Sequence, residues 1–146
     1  MEATRRTFFQ AVAALAAAGF HQTPTIAADK KFQWQNGQSP WPMCLDTATL
    51  SKDVPLEKKV DVVAHSEFDA IEPWDRELAA YEETGQSLKE LGASIREKGL
   101  FVPSVIGLWG SLGNTKEDFE SRLEEYHTRL RMIRDIGAEH VQIIPD

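Results

Sequence analysis

Two stretches of the 146-residue chain repeat one local design. Ile95-Arg96-Glu97-Lys98-Gly99 and Ile133-Arg134-Asp135-Ile136-Gly137 each carry the chain out of an amphipathic run, through a glycine, and into a short apolar run. A glycine just past the last apolar position of a helix adopts the left-handed conformation that ends it. Apolar runs alternating with helical runs of this length imply parallel strands covered by helices. The chain is therefore expected to be an α/β protein in the order β-α-β-α-β-α-β.

The individual elements follow from pattern and punctuation. Met43-Cys44-Leu45 is a weak first strand. Asp53 is placed to cap a helix whose first turn holds Pro55, and Leu56, Val60 and Val63 share one face of it. That helix is expected to end near His65-Ser66. Phe68 to Glu72 is the second strand, and it should stop at Glu72 because Pro73 cannot donate to a ladder. Ser87 and Glu90 are spaced as a capping box for a helix with the stripe Leu88, Leu91 and Ile95. Gly99 closes it. Leu100 to Ile106 reads as the third strand, although Pro103 lies inside it. Either the paired part is very short or the ladder is broken there. Asn114 or Thr115 caps the last helix, in which Phe119, Leu123, Tyr126, Leu130 and Ile133 form one continuous stripe up to Gly137. His140 to Ile144 is the fourth strand.

The amino terminus reads as an address. Arg5-Arg6 and Phe8-Phe9 precede the apolar run Ala11 to Phe20, with small residues at Ala27-Ala28. The run is well short of the ~20 residues that span a bilayer. This layout is that of an export signal, and the paired arginines match the twin-arginine pattern of the pathway that exports folded proteins. The alternative is an ordinary amphipathic helix with two arginines before it. Residues 1–28 are accordingly set apart as a signal peptide, 29–42 as a linker and 43–146 as the domain, with an exported, extracytoplasmic destination. Trp34 and Trp41 in the linker either form a lid or cover apolar surface at the domain's edge.

The formal net charge of −7 repels phosphate backbones, so nucleic acid is a poor partner. The single cysteine, Cys44, has no internal disulfide partner and reads as a small core residue. His21, His65, His127 and His140 show no metal-ligand spacing.

The runs Phe68-Asp69-Ala70-Ile71-Glu72-Pro73-Trp74, Phe101-Val102-Pro103-Ser104-Val105 and Ile136-Gly137-Ala138-Glu139-His140-Val141 resemble the xylose-isomerase-like TIM-barrel superfamily of sugar phosphate isomerases and epimerases. The likeness is greatest to exported members with a twin-arginine signal, and it runs from about Trp41 to Asp146. A TIM barrel has eight strands and about 250 residues, so the expectation is the N-terminal half of one, with four parallel strands and three helices. His65-Ser66-Glu67 departs from the acidic-small-glycine turn usual in the family.

The resemblance implies metal-assisted proton transfer next to a sugar carbonyl, with a divalent metal held mostly by later strands. No metal is expected to be bound by this chain alone, and the chain alone is expected to be inactive. A sugar or sugar phosphate is the implied partner. The alternative is a non-catalytic half-barrel that self-associates through its open strand edges into a homodimer. Ligands of parallel sheets bind at the carboxyl ends of the strands, which makes Glu72 the catalytic candidate. Its plainer reading is a loop carboxylate paired with Arg76. Trp74 and Trp109 follow the second and third strands and are candidates to stack on a sugar ring; packing or loop anchoring is the alternative for each. Asp146, just past the fourth strand, is the remaining substrate-binding candidate.

Overall fold

The computed structural model describes residues 33–110 and 115–145. Residues 1–28, expected to be a signal peptide, and the candidates Asn114 and Asp146 lie outside the described residues.

Among the described residues there are four strands, β1 (Cys44–Asp46), β2 (Ala70–Glu72), β3 (Ser104–Trp109) and β4 (His140–Ile144). β1 pairs in parallel with β2, and β3 with β4. Two isolated parallel bridges, Ala70 to Phe101 and Trp74 to Ile106, tie β2 to β3. The spatial order is thus 1-2-3-4, all parallel, which is the arrangement of a partial TIM barrel.

Pro103 sits in the gap between those two bridges. Five residue steps separate Phe101 from Ile106, opposite four from Ala70 to Trp74, so one extra residue bulges out of the ladder. Pro103 keeps its carbonyl in use by accepting the N–H of His140 at 3.1 Å. The regular strand therefore starts at Ser104 and runs to Trp109, three residues beyond the expected end at Ile106.

The described residues form five α-helices: α1 (Leu56–Ala64), α2 (Asp75–Glu83), α3 (Leu88–Glu97), α4 (Lys116–Ser121) and α5 (Leu123–Ile136). α1 keeps the expected buried face of Leu56, Val60 and Val63, but Asp53 does not cap it. Pro55 occupies the N-cap position, without a side-chain cap. Ser87 Oγ accepts the N–H of Glu90 at the start of α3, and Gly99 follows its end at φ +79°.

Two of the helices also differ from the sequence reading in number or continuity. α2 is additional, so β2 and β3 are joined by two helices rather than one. The continuous last helix is broken at Arg122 into α4 and α5, with Thr115 Oγ1 capping α4 by accepting the N–H of Asp118 at 3.1 Å. The apolar stripe is not buried as one continuous face. Phe119, Leu123 and Leu130 are exposed, whereas Tyr126, Met132, Ile133 and Ile136 are buried.

Alternation divides the sheet into two faces. Leu45, Ile71, Val105 and Val141 point to the helices and join the core built by α1, α2, α3 and α5. Cys44, Asp46, Glu72, Ser104 and Gln142 alternate with them and form the other, concave face. α3 and α5 approach closely because position 92 is glycine: a Cβ there would lie 2.3 Å from the carbonyl oxygen of Ile136.

Residues 33–43 close the amino end of the strands. Trp34 packs on Phe101 with ring centroids 5.4 Å apart, and Asp69 Oδ2 accepts from Gln35 Nε2 and the N–H of Met43. Trp41 is 75% exposed. Trp34 thus covers apolar surface at the end opposite Glu72.

Candidate functional site

β2 ends at Glu72 because the next residue is proline, and the carboxylate projects along the concave face. It does not pair with Arg76. Glu72 Oε1 instead accepts from the hydroxyl of Ser104 on β3 and, at 2.5 Å, from the side-chain amide of Gln142 on β4. One oxygen of the carboxylate is thereby fixed by two strands. Oε2 takes neither of these bonds.

A second carboxylate stands beside it. Asp46 is the register partner of Glu72 across the β1–β2 ladder. Its Oδ1 accepts the indole N–H of Trp74 at 2.8 Å and the N–H of Ala48 at 2.8 Å. Two neighbouring carboxylates thus each have one oxygen tied down by the protein.

Cys44 completes this face. The residue is exposed rather than part of the core expected from its size. Its side chain alternates with Leu45, which takes the helix-facing position. Partial desolvation of the thiol, with Glu72 and Asp46 adding negative charge, pushes its pKa up to about 12. The group is a neutral thiol at physiological pH, not a nucleophile.

The aromatic wall is made by Trp74 and Trp109, stacked at 5.5 Å between centroids with planes 22° apart. The Arg76 guanidinium lies 4.1 Å from the centre of the Trp74 ring. Trp74 is therefore occupied by its neighbours, and Trp109, 42% exposed, is the more open indole. Leu108 makes this possible. The β3–β4 register shifts between Gly107 and Trp109, leaving Leu108 as an extra residue at φ +51°. A left-handed leucine costs about 1–3 kcal/mol, and the bulge re-aims the strand end where the stack forms. The following turn is held by Tyr126, whose hydroxyl donates to the carbonyl of Gly110 at 2.9 Å.

Behind the wall lies a nearly buried ion pair. Lys59 Nζ donates to Glu77 Oε1 at 2.7 Å and to the carbonyl of Thr47 at 3.0 Å, with its side chain 3% exposed. Glu77 Oε2 accepts the N–H of Trp74 at 2.9 Å and contacts the Thr47 hydroxyl. One carboxylate thus secures the start of α2, the turn after β1 and the backbone of Trp74. On the other side of α2, Asp75 pairs with Arg129 of α5 at 3.0 Å.

Glu72, Trp74 and Trp109 all sit at the carboxyl ends of the strands. Sequence reasoning missed Asp46, Ser104, Gln142 and the Lys59–Glu77 pair. Ser104 and Gln142 carry no motif; only their alternation with Val105 and Val141 marks them as concave-facing. Among the described residues no three His, Cys, Asp or Glu side chains cluster to hold a metal. Nor is any described helix long and apolar enough to cross a membrane.

No protein-family model matches the chain, and no curated protein matches it. Solved structures do. The IolI protein with a zinc atom superposes at TM-score 0.63 and 14% identity, covering 73% of this chain and 38% of that one. A xylose isomerase-like TIM barrel/4-hydroxyphenylpyruvate dioxygenase fusion protein gives 0.61 and 17%, over 70% and 16%. The probable 3-DHS dehydratase AsbF of petrobactin synthesis from Bacillus anthracis gives 0.57 and 14%, over 69% and 37%. At these identities the likeness is one of fold. The chain spans 16% to 38% of the length of these three structures.

Proposed function

Because the chain has the fold of the xylose isomerase-like TIM barrels, we propose that its concave face is the sugar-binding side of an isomerase/epimerase-type barrel. The observation that carries this reading is the fixed carboxylate of Glu72, held by Ser104 and Gln142 at the strand ends beside Asp46. A carboxylate with one anchored oxygen presents the other as an acceptor of fixed direction, which suits a sugar hydroxyl or a carbon-bound proton next to a carbonyl. Proton transfer in a complete barrel would use Glu72 as the acid/base or as a hydroxyl anchor, with Trp109 against the ring and Asp146 as a further contact. In the complete barrel, a divalent metal would draw its ligands from beyond the described residues.

Tryptophan fluorescence titration with fructose tests the binding. Saturable quenching that is lost in Glu72→Ala supports the reading. Equal response in both proteins sinks it.

A second reading is favoured by one observation. Among the described residues β4 pairs only with β3, and Ile143 on it is 50% exposed. Such an edge pairs readily with another chain, so the chain would be a self-associating binding module. A sedimentation coefficient independent of concentration, at the monomer mass, eliminates it.

Export through the twin-arginine route belongs to the same proposal. Replacing Arg5 and Arg6 with lysine should leave the protein in the cytoplasm of its source cells. Unchanged export would refute it.

A further inference from the structure

We propose that Asn36-Gly37 is a covalent modification site held closed by the fold. While the turn over residues 34–39 is intact the asparagine is spared. When the turn opens, Asn36 converts to aspartate or isoaspartate, and isoaspartate prevents the amino end of the strands from closing again.

This is the one Asn-Gly pair in the chain. Glycine leaves its amide nitrogen unshielded, free to attack the side-chain carbonyl of the asparagine before it. The only other asparagine, Asn114, precedes Thr115, whose branched Cβ crowds the same approach. In the reaction a bond forms between the Gly37 nitrogen and Asn36 Cγ, the Cγ–Nδ2 bond breaks, and ammonia leaves with the Gly37 proton. Water then opens the five-membered ring at either carbonyl. Opening at Cγ gives aspartate. Opening at the main-chain carbonyl gives isoaspartate, with the backbone rerouted through Cβ and Cγ.

Both residues are exposed, and among the described residues no partner holds the Asn36 side chain. Backbone geometry is what restrains it. Asn36 stands at φ 53°, ψ 34°. At that ψ the Gly37 nitrogen lies nearly opposite Cβ across the Cα–C bond, whereas ring closure needs the two eclipsed. The same nitrogen donates its hydrogen to the carbonyl of Trp34 at 3.0 Å, which holds the proton that must leave.

The turn is closed from outside. Gln35 and Asn36 are both left-handed at φ 53°, a conformation that costs a glutamine more than a glycine. Trp34 and Ser39 exchange backbone hydrogen bonds of 3.2 Å across the turn. Beyond it, the Trp34 ring packs on Phe101, and Gln35 Nε2 donates to Asp69 Oδ2 and, at 3.0 Å, to the carbonyl of Glu67. Release of these contacts is a local opening that frees the ψ rotation of Asn36. Isoaspartate adds one main-chain atom between Trp34 and Ser39, so the bonds from Gly37 and Ser39 to the Trp34 carbonyl fall out of register.

Timed incubation of the full chain at pH 8 tests the proposal, with amide-to-acid conversion at Asn36 followed by digestion and mass spectrometry. Conversion in urea should be about tenfold or more faster than in the folded chain. Gln35→Ala, which releases Asp69 and Glu67, should lie between. Gly92→Ala loosens the helices and leaves the turn alone, so it should match the folded wild type. In chain purified as the isoaspartate form, proton–nitrogen NMR should show the Trp34 indole and the Gln35 amide displaced while the Trp74 indole stays. No conversion in urea removes the site. Equal rates folded and in urea, Gln35→Ala as slow as wild type, or equal acceleration by Gln35→Ala and Gly92→Ala overturns the protection by the turn. Unmoved Trp34 and Gln35 signals overturn the loss of closure.

Discussion

Trp74 donates its indole N–H to Asp46 across 2.8 Å, joining the carboxyl end of β1 to the start of α2. The bond fixes the ring that Trp109 stacks on and one oxygen of the carboxylate paired with Glu72. Trp74→Phe keeps an aromatic ring and removes only the donor. Its stability to urea should fall by about 1 kcal/mol, and fructose affinity should fall with it. Unchanged stability would mean the bond is not formed in solution.

Lys59 and Glu77 lie where a partnerless charge is costly. Lys59→Met should destabilise the chain by about 3 kcal/mol, since Glu77 is left with an unpaired charge. Lys59→Met/Glu77→Gln should recover much of that loss. A double variant as unstable as the single would show that packing of the lysine stem dominates.

Alanine is the better helix former by about 1 kcal/mol, yet Gly92→Ala should destabilise. The added Cβ meets the Ile136 carbonyl at 2.3 Å, a backbone atom with no rotamer to escape into. Forcing α3 and α5 apart costs roughly 1–3 kcal/mol, which outweighs the propensity gain. A raised denaturation midpoint would contradict the close approach.

Arg131 of α5 forms a fork to Glu82 of α2, at 2.8 and 2.6 Å, and also reaches Asp135 at 3.3 Å. Hydrogen bonding to Arg131 holds Glu82 below its ordinary carboxylate range, and bonding to Arg134 does the same for Asp135. Groups depressed in this way stabilise the fold fully above their unfolded pKa, and that stability fades as pH falls through the folded value. Arg131→Met should therefore lose more stability at pH 7 than at pH 3, as read from denaturation midpoints. A loss that does not vary with pH would place the effect in packing.

Cys44 offers a chemical readout of the concave face. With its pKa pushed from 9.0 to about 12, its thiolate fraction at pH 8 is about a thousandfold below that of an ordinary thiol. Alkylation by iodoacetamide should be correspondingly slow, and faster in Glu72→Gln. Alkylation at the ordinary rate would mean that the thiol is not desolvated on this face.

The parallel order and the end of β2 were legible because Pro73 stops the strand and Gly99 and Gly137 mark where α3 and α5 end, stops that backbone chemistry enforces. α2 was not, since Asp75 to Glu83 shows few apolar positions, burying only Leu78 among its large apolar residues. Its one signal was Glu77, three residues after Trp74 and accepting that residue's N–H. The long apolar stripe misled for a different reason: its period from Phe119 to Ile133 runs on through the break at Arg122, and it does not tell the exposed Leu123 and Leu130 from the buried Tyr126 and Ile133. At the site, Glu72 was found through its proline. Its partners Ser104 and Gln142 come from strands 32 and 70 residues away, and no local pattern encodes which side chains meet across a ladder.

The most direct test follows the side-chain amide of Gln142 and the indole N–H of Trp74 by proton–nitrogen NMR during a fructose titration. Both bond to the carboxylates of the concave face, whereas Gln35 bonds Asp69 at the opposite end of the strands. The expected result is a saturable shift at Gln142 and Trp74, none at Gln35, and loss of the response in Glu72→Gln. Shifts of equal size at Gln35, or no shift at Gln142, would contradict a sugar site on this face.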